Sequence, residues 1–130
     1  MTASLRIDWP SAGRRRAALL APPDSLEVDG TIMFRAVQRD LIDDGLGVYL
    51  IHDLRGVLYV GRSNDLRRRF DEHRLKPSNP YLAEAIRKPF GEMRFSWITT
   101  SNDRMTGKLE RELIRWLQPP CNRLTPSITH

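Results

Sequence analysis

Two runs of β-branched and aromatic residues, Gly47-Val48-Tyr49-Leu50-Ile51-His52 and Val57-Leu58-Tyr59-Val60, stand four residues apart, and that spacing leaves this chain little choice. Such runs form strands, and the link Asp53-Leu54-Arg55-Gly56 is short enough to make them an antiparallel hairpin. A three-residue loop, Leu54-Arg55-Gly56, puts glycine where a left-handed residue is wanted and pairs Asp53 with Val57. In that register Ile51 faces Tyr59 and Tyr49 faces Gly61, so Tyr49 and Tyr59 share one face of the sheet with Ile51 and Val57. A slip of one residue sends one tyrosine to the other side.

The rest of the chain supplies what must cover this hairpin. Ser63 or Asn64 caps a helix running through Lys76, with Leu66 and Phe70 as its apolar edge and His73 one turn beyond Phe70. Arg69 and His73, four apart, are neighbours on it. Ser78 or Asn79, followed by Pro80, opens a second helix carrying Leu82, Ala85 and Ile86, which Pro89 and Gly91 close. Met93, Phe95 and Trp97 alternate with Arg94 and Ser96 as a third strand, and Ser101-Asn102-Asp103 opens a last helix that ends at Leu117 before Pro119 and Pro120. The order is β-β-α-α-β-α, an α/β domain. A short apolar stretch, Thr31 to Val37, fits a strand or a helix equally, and the first forty residues otherwise read as an arm.

At 130 residues one core is expected, and 40% apolar with 28% charged residues is the composition of a folded globule. The longest apolar run, Ala17 to Pro23, falls well short of the roughly 20 residues that cross a bilayer. Arg14-Arg15-Arg16 before it imitates a secretion signal, but Pro22 and Pro23 cut that short. One cysteine, Cys121, allows no internal disulfide, which fits a reducing cytoplasm, and it reads as a small buried hydrophobe. Net charge is +5, and between Arg62 and Lys76 six basic residues (Arg62, Arg67, Arg68, Arg69, Arg74, Lys76) stand against three acidic ones. That basic stretch makes a polyanion a plausible partner.

Placed on a wheel at about 100° per residue, the last helix puts Met105, Leu109, Leu113, Trp116 and Leu117 in one sector, extended by Ile114. Glu110 falls inside that sector, while Lys108, Arg111, Glu112 and Arg115 gather on the opposite, solvated side. An inward carboxylate needs a partner, a cation or a raised pKa. A structural pair with an arginine of the basic helix meets that need, and so does a metal or catalytic role. Tyr49 and Tyr59 taken singly are ordinary core residues; Arg69 and His73 are an ordinary solvated charge and an edge histidine.

Their order changes the weighing. Gly47-Val48-Tyr49, nine residues, Tyr59-Val60-Gly61, an arginine ten after Tyr59, a histidine four after that, Glu110, and Asn122 twelve further on together resemble the GIY-YIG nuclease family, from Gly45 to Arg123. The resemblance implies a three-stranded antiparallel sheet flanked by helices over residues 45–125, with an N-terminal arm at 1–44 and a tail at 126–130. It implies DNA endonuclease activity with one divalent ion, Mg²⁺ or Mn²⁺. Carried over by position, Glu110 would bind the metal, Arg69 would hold the scissile phosphate, and Tyr49 would be the general base. Tyr59 and His73 would orient and tune it, Asn122 would support the site, and Arg62, Arg67 and Arg68 would bind substrate. Arg62 stands where many members have lysine, and it keeps the charge without being able to accept a proton. A module of the same fold that binds nucleic acid with weak or no turnover is the alternative. The expected protein is cytoplasmic, acts on DNA and not on membranes, and makes a double-strand break only as a homodimer or in two visits.

Overall fold

The computed structural model describes residues 27–123. Strand β1 (Gly30–Met33) is followed by a 3-10 helix (Ala36–Leu41), β2 (Gly47–Asp53), β3 (Gly56–Ser63), α1 (Leu66–Leu75), α2 (Pro80–Arg87), β4 (Arg94–Thr99), α3 (Asp103–Leu117) and α4 (Pro120–Arg123). The sheet has four strands in the order β1-β4-β2-β3, and every pairing is antiparallel. The strand beyond the expected three is β1, from the stretch read as arm, and it sets Ile32 opposite Phe95. Four residues carry too little periodicity to declare a strand; β4 gives them an edge to pair with. Residues 1–26 of the arm and the tail at 126–130 lie outside the described residues.

Every residue of β2 is buried, because β2 is flanked by β4 and β3 and covered on both faces. Tyr49 and Ile51 point into one core with Leu66 and Phe70 of α1, Leu82 and Ala85 of α2, and Phe95 and Trp97 of β4. Val48 and Leu50 point into the other, with Val57, Val60, and Leu113 and Leu117 of α3. Helices on both faces of one sheet explain why β2 reads as continuously apolar rather than alternating.

The hairpin closes differently from the expected loop. Asp53 pairs with Gly56, leaving the two-residue turn Leu54-Arg55, and His52 pairs with Val57. A two-residue turn alone would split the tyrosines between faces. Leu58, unpaired between Val57 and Tyr59, is a β-bulge that restores Ile51 opposite Tyr59 and Tyr49 opposite Gly61. Both tyrosines therefore join the same core, but Val57 packs on the opposite face, with Val48 and Leu50. The tip is locked by charge: Arg55 Nη2 donates to Asp53 at 2.6 Å and to Ala85 O of α2 at 3.3 Å, and its guanidinium lies 4.4 Å over the Phe90 ring. The buried Asp53 carboxylate also accepts the Phe90 N–H.

Local capping differs by a residue or two from the sequence reading. Asp65 is the α1 cap, accepting the Arg68 N–H, while the Ser63 hydroxyl is engaged with the Asp65 backbone. Asn79 caps α2 and Asn102 caps α3; Gln118, left-handed at φ 48°, ends α3 ahead of Pro119. Of the sector expected to be apolar on α3, Leu113 and Leu117 are buried, whereas Met105 and Trp116 lie at the exposed rim.

Opposite Tyr49, Gly61 has no side chain, and the Tyr49 phenol fills that space: a Cβ there would collide with its hydroxyl, Cζ and Cε1. Gly61→Ala is expected to cost about 1–3 kcal/mol of stability, the scale of overpacking a tight core, as read by urea unfolding. A loss below about 0.5 kcal/mol would mean that the phenol does not depend on that gap.

Candidate active site

The bulged hairpin and α1 bring Tyr49, Tyr59 and His73 together. The Tyr49 hydroxyl lies 2.7 Å from His73 Nε2, and the three rings sit 5.3–6.1 Å apart, centre to centre. Phe95 of β4 stacks on Tyr49 at 5.3 Å and fixes its plane. Arg69, one turn before His73 on α1, ion-pairs Glu72 through Nη1 at 3.1 Å, while its Nε is buried with no partner. His73 Nδ1 is likewise buried without a partner.

These groups shape one another's protonation. Burial, with Arg69 adding to it, pushes His73 down to about 4, so its ring is neutral at pH 7. A neutral ring holds one proton, and a buried orphan N–H is rarer than a bare acceptor lone pair. We therefore assign that proton to Nε2, donating to the Tyr49 oxygen. Burial, and next to it the neighbouring Tyr59, raises Tyr49 well above the usual phenol range, opposed by Arg69. Burial and then Glu110 raise Tyr59 as well. Both phenols are protonated at neutral pH, and the groups that favour losing a proton are Arg69 and the His73 N–H.

Glu110 reaches this place from α3, on the other side of the sheet. Its carboxylate is mostly covered, and its ion pair is with Arg62 of β3, Nε to Oε1 at 3.5 Å, rather than with an arginine of α1. Burial raises its pKa, and Arg62 and then Arg111 act against that rise without cancelling it. An under-compensated carboxylate of this kind fits a divalent cation. Mg²⁺ is commonly held by one or two carboxylates, keeping waters and taking phosphate oxygens. Among the described residues no three His, Cys, Asp or Glu side chains cluster as a metal cage, so Glu110 is the protein ligand such an ion would find here.

Asn122 of α4 does not approach the tyrosine hydroxyls. Its carboxamide accepts the Val60 N–H and donates to the Val60 carbonyl, both at 2.8 Å. It thus occupies the free edge of β3 as another strand would, between Tyr59 and Gly61. The expected grip of α1 on substrate is only partly present. Arg67 is turned inward, donating to the carbonyls of Ile42 at 2.8 Å and Asp40 at 3.3 Å. Arg68 is exposed but lies among Asn64, Asp65 and Glu72.

Sequence reasoning passed over Gly107 and gave Arg111 only a solvated position. A Cβ at Gly107 would lie 2.6 Å from Arg62 Nη1 and 3.3 Å from Arg111 Nη1, so two guanidinium groups converge over it. A glycine inside a helix costs roughly 1 kcal/mol relative to alanine, and that was the available signal.

Comparison with known proteins places this geometry. The GIY-YIG catalytic domain model matches residues 46–124, well over half of the chain. Curated proteins gave no match. Among solved structures, the chain is similar to the magnesium-bound GIY-YIG N-terminal endonuclease domain of UvrC from Thermotoga maritima, at 22% identity and TM-score 0.55, over 66% of this chain and 92% of that one. A point mutant of that domain, bound to its catalytic divalent cation, matches at 21% and TM-score 0.54, over 65% and 90%. At such identities the likeness is one of fold. The family match spans residues 46–124, and on that ground the chain belongs to the GIY-YIG family of nucleases.

Proposed function

We propose that this chain is a divalent-cation-dependent endonuclease that hydrolyses DNA phosphodiester bonds, with Glu110 as its metal ligand. The observation that carries the reading is the meeting of a desolvated, under-compensated carboxylate with a buried tyrosine-histidine pair beside an arginine whose Nε has no partner. The UvrC domain, in which magnesium is the bound catalytic cation, supports the choice of Mg²⁺, with Mn²⁺ as a substitute.

A phosphodiester resists water because its charge repels nucleophiles, so the site must supply positive charge and remove a proton. A magnesium ion held by Glu110 would acidify its bound water and neutralise charge on the phosphate. Arg69, whose charge is felt by both tyrosines and whose Nε has no partner, neutralises the non-bridging oxygens of the scissile group. In the fraction of molecules where it has lost its own proton to solvent, Tyr49 as phenolate takes the proton of the attacking water, its oxygen supported by the His73 Nε2–H. Tyr59 and His73 hold that phenol in place, and Asn122 fixes the β3 segment that carries Tyr59 and Gly61. Arg62, which pairs with Glu110 here, would be free to bind phosphate were that carboxylate engaged by a cation. A binding module without turnover is the second reading, favoured by Arg62 already pairing with Glu110 and being unable to accept a proton.

No helix of the described residues is long and apolar enough to cross a membrane, and Cys121 is a buried free thiol. Both accord with work on DNA in the cytoplasm. One such site cuts one strand, so two copies or two visits would make a double-strand break.

Incubation with end-labelled single-stranded, duplex and flap oligonucleotides tests the reading: products appear with Mg²⁺ and not with chelator, whereas binding without products establishes the second reading. Glu110→Gln is expected to lower Mg²⁺-dependent cleavage by a factor of about 100 or more while the melting temperature stays within a few degrees. Retained cleavage removes the metal assignment, and loss of the fold makes Glu110 a structural residue. Because Tyr49 is protonated at neutral pH, the cleavage rate should rise with pH from 7 to 9 as the phenolate fraction grows. Tyr49→Phe should be slower by about 100-fold or more and lose that rise; an unchanged profile in the variant would reduce Tyr49 to packing.

A further inference from the structure

The charge that α1 was expected to offer to nucleic acid is largely spent inside the molecule. Arg67 holds two backbone carbonyls, and Arg68 and Arg69 ion-pair Glu72. The other basic surplus in the chain, eight basic against five acidic residues over 77–130, includes Lys108, Arg111 and Arg115, which the sequence reading placed with Glu112 on a solvated face. Half of those eight, Arg104, Lys108, Arg111 and Arg115, fall on α3 at intervals of four, three and four residues. That spacing puts them in a single row along the helix, about 16 Å long at 1.5 Å per residue. All four are exposed, and none forms an ion pair with an acid among the described residues.

The row is not an isolated solvated face. At its middle, Arg111 Nη1 and Arg62 Nη1 both crowd the space left by Gly107. Like charges that converge repel, and the one ion pair either makes among the described residues is Arg62 Nε with Glu110 at 3.5 Å, Arg111 feeling that carboxylate without pairing it. An anion lying over the two guanidinium groups would satisfy both, and they converge this close to the helix because position 107 has no side chain. The row thus runs directly into the candidate active site.

We propose that the outer face of α3 is the track for the nucleic-acid backbone: Arg62 and Arg111 hold one phosphate over Gly107, and Arg104, Lys108 and Arg115 contact phosphates to either side. This rests on the nuclease reading and adds to it where the substrate lies. Contacts of this type are made to phosphate and carry no base sequence, so the chain grips unrelated sequences alike.

The test is the triple variant Arg104→Ala, Lys108→Ala, Arg115→Ala in the full chain. Alanine is the best helix former and all three positions are exposed, so the fold persists, as circular dichroism and melting will show. Binding to two unrelated 30-base-pair duplexes is measured in chelator between 50 and 200 mM salt. The variant should bind both duplexes at least about tenfold more weakly at 100 mM salt. Its log-log salt slope should be lower by about 2.7, or about 0.9 for each lost phosphate contact. A control variant, Arg87→Ala with Lys88→Ala on α2, should keep the wild-type slope. An unchanged slope in the triple variant, or a wild-type chain that binds neither duplex, overturns the α3 track, and the nuclease reading then stands or falls on the cleavage assay alone. Row-dependent binding to phosphatidylserine vesicles, with no duplex binding, would assign the face to a membrane and also overturn the proposal.

Discussion

Everything that positions the candidate site depends on the register of the β2–β3 hairpin. Tyr49 and Tyr59 belong to different strands, and they share a face because a two-residue turn is offset by the bulge at Leu58. The same register sets Tyr49 against Gly61, whose missing side chain leaves the space that the phenol fills. Asn122 then closes the outer edge of β3 with two backbone hydrogen bonds at Val60, which keeps that strand straight where the tyrosine and the glycine are needed. Hairpin, edge clip and α1 meet around the tyrosine-histidine pair.

The site is electrostatically costly in the way functional sites are. A neutral histidine with a bare Nδ1, an arginine with an unfilled Nε, two phenols shifted upward and a carboxylate shifted upward lie within a small volume. A domain selected for stability alone would replace such groups with apolar ones of similar volume. Each of these groups lacks something that a cation and a phosphodiester together provide, positive charge near the carboxylate and an acceptor near the arginine. Such a set of complementary deficits supports the proposed catalytic arrangement.

The parts of this arrangement that depend on local pattern were legible in the sequence. The tyrosine register, α1, α2 and α3 and the inward position of Glu110 follow from periods of two and 3.6, and the paired motifs name the family. The parts that depend on distant segments were not. The strand at Gly30–Met33 exists only because β4 offers it an edge, and Arg67 turns inward only because Ile42 and Asp40 present carbonyls to it. Glu110 pairs with Arg62 and not with α1 because α3 packs on the opposite face of the sheet. The turn was misjudged for a different reason: a three-residue loop and a two-residue turn with a bulge give the same pairing beyond Ile51, and the sequence holds no signal at Leu58 that separates them.

The central claim is that one carboxylate, delivered from α3 to the edge of β3, organises the chemistry. Paramagnetic broadening of backbone amide resonances by Mn²⁺ tests it directly, because the ion's position is read without any substrate. The account predicts strongest broadening around Glu110, Gly61 and Arg62, and its disappearance from these residues in the Glu110→Gln variant. Broadening centred on other carboxylates, or unaltered by that substitution, would contradict it.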